Sequence, residues 1–182
     1  MQDPAERDSV AIVIDAQDDR RFSLRMMCLT FLGTGYLPKA PGTWGSLAAL
    51  FFGLSCESVV LQLPGAGPAY CAAVLAFLIL CGGTAVVFLL RFSPPGWPQD
   101  PSFVVLDEAV GIWLLMLLLH MAGYSGADIA LCAAFLAFRV LDVWKPYPIS
   151  WLDERVGAFY VLADDLAAGG LAAIIVIVVL SL

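Results

Sequence analysis

Val104-Val-Leu-Asp-Glu-Ala-Val-Gly-Ile-Trp-Leu-Leu-Met-Leu-Leu-Leu-His-Met-Ala122 is the stretch that decides the fold. It opens on two adjacent acids, Asp107 and Glu108, and is then apolar as far as His120. Its length suits a bilayer-crossing helix, which needs roughly 17–25 apolar residues. A carboxylate at the centre of such a helix costs on the order of 2.5–3.5 kcal/mol, and less near its end. The two acids therefore mark a helix end that has a use for negative charge.

Four more apolar runs read the same way, over residues 44–63, 69–90, 127–141 and 165–182. The run over 127–141 is short unless it continues to Trp144. Residues 22–37 form a sixth apolar stretch, which carries Arg25 and is interrupted by Gly33 and Gly35. It reads as an interfacial or partly inserted helix. Of the 182 residues 61% are hydrophobic, and the mean hydropathy is +0.89. A soluble domain of this size rarely reaches that fraction. The expected fold is an all-α, polytopic helical membrane protein with about five transmembrane helices plus an N-terminal interfacial helix. Two units follow: residues 1–20 as an acidic, poorly ordered cytoplasmic leader, and residues 21–182 as a single helical membrane domain. The leader holds Asp3, Glu6, Asp8, Asp15, Asp18 and Asp19, so much of the net charge of −7 comes from it.

Basic residues set the orientation, because they concentrate in cytoplasmic segments. The links over 64–68 and 123–126 contain none, whereas Arg20, Arg21, Arg25, Lys39, Arg91, Arg139, Lys145 and Arg155 all fall on the other side. The N-terminus is thereby expected in the cytoplasm. The same topology sends Asp100, Asp107, Glu108, Asp142, Asp153, Asp164 and Asp165 to that cytoplasmic face. Only Glu57 and Asp128 fall near outer ends. The five cysteines (Cys28, Cys56, Cys71, Cys81 and Cys132) form no Cys-x-x-Cys pair and read as small buried hydrophobes. His120 is the only histidine and reads as an interfacial or packing residue.

Carboxylates gathered at one face repel one another, and a hard divalent cation removes that repulsion. Mg²⁺ takes oxygen ligands and commonly uses one or two carboxylates together with substrate phosphates. Adjacent helical residues point about 100° apart. Asp107 and Glu108 therefore cannot both aim at one point, nor can Asp164 and Asp165. One of each pair could bind metal while the other holds a water or a neighbouring cation. The competing reading is that the acids merely cap helix N-termini. Basic partners suit a phosphate: Lys39 lies in a Gly- and Pro-rich turn that runs through Thr43 into a helix, and Arg139 and Lys145 flank Asp142. Trp144, Tyr147 and Trp151 read as interfacial anchors. One histidine excludes phosphatases built on a His nucleophile with a second His. No Cys-x₅-Arg loop and no Asp-x-Asp motif is present. Metal-assisted attack by water remains.

Four stretches then resemble, in order, the phosphatidylglycerophosphatase A family. They are Gly33-Thr-Gly-Tyr-Leu-Pro-Lys-Ala-Pro-Gly-Thr-Trp-Gly-Ser-Leu47, Asp100-Pro-Ser-Phe-Val-Val-Leu-Asp-Glu-Ala-Val-Gly111, Phe138-Arg-Val-Leu-Asp-Val-Trp-Lys-Pro-Tyr-Pro148 and Ala163-Asp-Asp-Leu-Ala-Ala-Gly169. The resemblance implies a Mg²⁺-dependent, multi-pass phosphatase of the bacterial inner membrane whose active site faces the cytoplasm. Its substrate would be the anionic phospholipid phosphatidylglycerophosphate, and no nucleic acid is implicated. The family's acids map to Asp107, Glu108, Asp142, Asp164 and Asp165, as catalytic and metal-binding residues. Lys39, Thr43, Arg139 and Lys145 are the expected phosphate contacts, with Asp100 and Asp153 supporting them. One departure is that the family's Gly-Gly-rich stretch before the second acidic pair is here Val156-Gly-Ala-Phe-Tyr-Val-Leu162, with one glycine. Two other classes compete on charge placement alone: an ion-coupled transporter and a non-enzymatic membrane scaffold stabilised by a metal.

Overall fold

Each of the five long apolar runs becomes a helix. The computed structural model describes residues 24–93, 97, 101–124 and 128–182. The acidic leader and Asp100 lie outside the described residues. Those described contain seven α-helices and no strand: α1 (Leu24–Leu29), α2 (Pro41–Leu61), α3 (Pro68–Arg91), α4 (Leu106–Met121), α5 (Asp128–Trp144), α6 (Ile149–Asp153) and α7 (Ala158–Ser181). Among them α2, α3 and α7 are long and apolar enough to cross a membrane. The other two expected spans, α4 and α5, have 16 and 17 residues. At 1.5 Å per residue α4 reaches about 24 Å, short of the roughly 30 Å hydrocarbon core. The run ending at 141 does continue to Trp144.

Position offsets the shortness of α4. It packs against α7, α3, α2 and α5 and is the hub of the bundle. Ten of its residues are buried, Asp107 among them. Its closest neighbour is α7. A Cβ on Gly169 would lie 2.3 Å from the Gly111 carbonyl oxygen, and one on Gly111 would lie 2.7 Å from the Asp165 carbonyl oxygen. Only glycine fits either place, and the two backbones touch as small residues allow in membrane bundles. That contact seats the Asp164–Asp165 turn of α7 beside the acidic first turn of α4.

Three expectations change. The 22–37 stretch is not one helix: α1 has six residues, and Phe31, Leu32 and Gly33 then take positive φ (43°, 61° and 91°). The break comes at Thr30, ahead of the glycines. Its hydroxyl donates to the Met26 carbonyl (2.6 Å) and accepts from Gly33 N–H (3.1 Å), a local alternative to helical bonding. Arg25 is accordingly a clamp. It donates to the carbonyls of Leu89 (2.5 Å) and Phe92 (3.1 Å) and to the Ser93 hydroxyl (2.9 Å), satisfying the orphan C-terminal carbonyls of α3. Secondly, Asp164 and Asp165 do not open α7, which begins at Ala158. The single glycine retained before them, Gly157, is the N-cap of α7 and takes φ 132°, a backbone that favours glycine. Thirdly, only Cys71 of the five cysteines is buried; Cys56 is half-buried, and Cys28, Cys81 and Cys132 are exposed.

The far end of the bundle is polar in one place. His120 Nε2 lies 2.9 Å from the Pro68 carbonyl oxygen, and Nδ1 lies 3.6 Å from Glu57 Oε1. This ties the ends of α2, α3 and α4 together, in keeping with a packing role for His120. Gly82-Gly83 and Gly169-Gly170 lie inside uninterrupted helices, so the broken-helix hint of a transporter goes.

Candidate active site

A cavity of about 280 Å³ opens at the end of the bundle opposite His120, roomy against the ~30 Å³ share of a water molecule. Its lining includes Asp107 and Glu108 from the first turn of α4, and Arg139 and Asp142 from the last turns of α5. Lys145 follows them, and Asp164 and Asp165 come from α7. All five acids expected at the site are thus brought together. Larger apolar grooves of about 570 Å³ lie between α3 and α7, but carry no acid.

The acids divide as the helical 100° step requires. Glu108 turns toward α2 and α5. Its Oε1 lies 3.4 Å from Arg139 Nη1, and its Oε2 lies 3.4 Å from the Ser46 hydroxyl. The start of α2 leaves room for this carboxylate, since a Cβ on Gly42 would come within 1.9 Å of Oε1. Asp142 binds the same guanidinium nitrogen at 2.8 Å. Asp164 accepts from Lys145 Nζ at 2.8 Å, and Lys145 also bonds Asp153. Asp107 and Asp165 are 4% and 5% exposed. Asp165 shares the cavity with the carboxyl groups of Asp107, Glu108, Asp142 and Asp164.

The turns beside the cavity are bent to suit. Ala40 and Lys145, both cavity-lining and each followed by proline, have left-handed φ of 50° and 47°. The α region is disfavoured before proline, and a left-handed non-glycine residue costs roughly 1–2 kcal/mol. Backbone strain of this kind clusters at functional sites. At Lys145 it ends α5 and brings the ammonium to Asp153 and Asp164. Burial lowers the Lys145 pKa, but hydrogen bonds and charge from those two carboxylates outweigh it. The ammonium is held above the ordinary lysine range and is fully charged at neutral pH.

Of the remaining expected residues, Lys39 and Thr43 stand differently, whereas Asp153 holds a supporting place. Lys39 is exposed, and neither it nor Thr43 lines the cavity. Asp153 is exposed and reaches the site through Lys145. Asp100 lies outside the described residues. Ser46, whose place in the sequence suggests no role, is fully buried and bonded to the site. Its signal was a serine one helical turn after Gly42, on the face that meets Glu108.

The lining sets five carboxylates against two cations. This excess of hard oxygen donors fits a divalent cation such as Mg²⁺. Among the described residues, however, no group of three or more His, Cys, Asp or Glu side chains stands ready to hold a metal ion. In this arrangement Glu108 and Asp142 face Arg139, and Asp164 faces Lys145.

A family model described as PgpA, phosphatidylglycerophosphatase A, matches residues 27–180. The phosphatidylglycerophosphatase A of Escherichia coli (strain K12) is 32% identical over 142 residues, covering 78% of this chain and 74% of that protein. The protein of the same name from Haemophilus influenzae is 32% identical over 151 residues, 79% of this chain and 81% of the relative. A Bacteroides thetaiotaomicron protein, provisionally named a phosphatidylinositol-3-phosphatase, is 32% identical over 140 residues, 77% and 83%. No solved structure matches the chain.

Proposed function

The chain belongs to the phosphatidylglycerophosphatase A family, and on that premise we propose that it removes the terminal phosphate of phosphatidylglycerophosphate with the help of Mg²⁺. It is a membrane phosphatase by family. The observation that carries the finer reading is the meeting of Asp107, Glu108, Asp142, Asp164 and Asp165, from three helices, in one cavity.

The acyl tails stay in the bilayer while the phosphomonoester enters the cavity. Asp107 and Asp165 are the acids that would hold the cation, with Glu108, Asp142 and Asp164 around them. When bound, the cation supplies neutralisation of the phosphoryl oxygens and acidifies water. Arg139 and Lys145 offset the substrate's negative charge from the cavity wall, and Lys39, exposed on the turn before α2, attracts it from outside. Attack by water forms one P–O bond as the P–O bond to the glycerol oxygen breaks. A carboxylate of the cluster takes the water's proton, and that proton is returned to the leaving glycerol oxygen, so that the lipid departs as the alcohol. The products are phosphatidylglycerol and inorganic phosphate. Arg25, Arg91, Arg139, Lys145 and Arg155 belong to the cavity end of the bundle, which supports a cytoplasmic-facing site in the bacterial inner membrane.

The test is phosphate release from purified protein in mixed micelles. Phosphatidylglycerophosphate should be hydrolysed with Mg²⁺, lose at least tenfold in rate on chelation, and recover when Mg²⁺ is restored. Equal rates with and without chelator would remove the metal from the proposal. Faster hydrolysis of phosphatidylinositol 3-phosphate would reassign the substrate.

A further inference from the structure

Arg139 reaches three partners through a single nitrogen. Its Nη1 lies 3.1 Å from Ser46 Oγ, 2.8 Å from Asp142 Oδ2 and 3.4 Å from Glu108 Oε1. Ser46 Oγ in turn lies 2.7 Å from the Gly42 carbonyl and 3.4 Å from Glu108 Oε2. A hydroxyl has one proton to give and two lone pairs. At these distances the proton goes to the Gly42 carbonyl, leaving a lone pair for Arg139. The serine is fully buried in α2, a rigid helix anchored in the core. Two carboxylates alone would leave the guanidinium free to slide between them, whereas a third, uncharged acceptor on another helix fixes where Nη1 stops.

We propose that Ser46 is a positioning residue: its buried hydroxyl locks Nη1 of Arg139 between Glu108 and Asp142, so that the rest of the guanidinium fork stays set for a phosphate. This rests on the phosphatase reading above and adds to it. A planar fork held at one nitrogen keeps a second in a defined direction, which a lysine cannot reproduce. The bond from Ser46 to Gly42 is also a common intrahelical one. A merely structural serine would keep that bond and owe nothing to Arg139.

The experiment is a double-mutant cycle on phosphate release, using Ser46→Ala, Arg139→Lys and the pair. Each rate is taken per folded enzyme, scaled by size-exclusion yield and thermal unfolding. Ser46→Ala should lower kcat about 10- to 100-fold, the usual cost of a misplacement near 1 Å, with KM within threefold of wild type. In the Arg139→Lys background the same change should cost less than threefold, because the group it positions is gone. Ser46→Thr, which keeps the hydroxyl, should recover more activity than Ser46→Ala. The proposal is overturned if Ser46→Ala retains kcat within threefold, or if the two losses multiply in the pair. A wild-type protein that releases no phosphate from either lipid would instead overturn the phosphatase reading itself.

Discussion

Asp107→Asn should cut Mg²⁺-dependent phosphate release by at least about 10²–10³-fold, the scale of losing one main electrostatic group at a reacting centre. Asparagine keeps the shape and one oxygen, so the first turn of α4 has no steric reason to change. It removes one of the five carboxyl groups that line the cavity, from a residue only 4% exposed. The variant should stay folded and monodisperse, because the side chain keeps an oxygen that can still accept from the Glu108 N–H (3.0 Å). A loss of activity in a variant that remains folded and monodisperse is not a folding defect. Turnover assays with thermal unfolding in detergent check both. Near wild-type turnover would refute the role given to Asp107.

Gly169→Val should abolish the folded protein, and Gly170→Val should not. The added Cβ at 169 would lie 2.3 Å from the Gly111 carbonyl oxygen and 3.0 Å from its carbonyl carbon. Both are backbone atoms, so no rotamer change makes room, and α4 must move away from α7. A displacement of two core helices belongs with the exceptional losses above about 4 kcal/mol. At Gly170 a Cβ meets nothing within 4 Å, leaving only the modest helix-propensity difference between residues. Yield of monodisperse protein and unfolding temperature separate the two. Equal behaviour of both variants would mean that the α4–α7 contact does not govern assembly.

The sequence was most legible where its signal is additive. Long apolar runs gave the five main helices, because burying them needs no partner-specific detail. Positive-inside bias and helix count together brought the acids to one face, and the 100° step between neighbours foretold that the two acids of each pair would point apart, without saying which of them meets a cation. What escaped depends on non-local contact. The break at Thr30 follows from a side chain bonding its own backbone. Arg25 reads as an interfacial charge until α3 is seen to end beside it. Ser46 acquires meaning only once α2, α4 and α5 are packed. Lys39 has the composition of a phosphate ligand, yet the turn that carries it leaves it outside the cavity.

The central placement of α4 has a consequence for biogenesis. Chains emerge from the ribosome N-terminal first, so α4 is made after α2 and α3 but before α5 and α7, whose side chains complete the candidate cavity. A nascent chain stopped in the loop after Trp144 would hold Asp107, Glu108 and Asp142 without Asp164, Asp165 or the tight α7 neighbour. The cavity that holds all five acids is therefore complete only once α7 has been made.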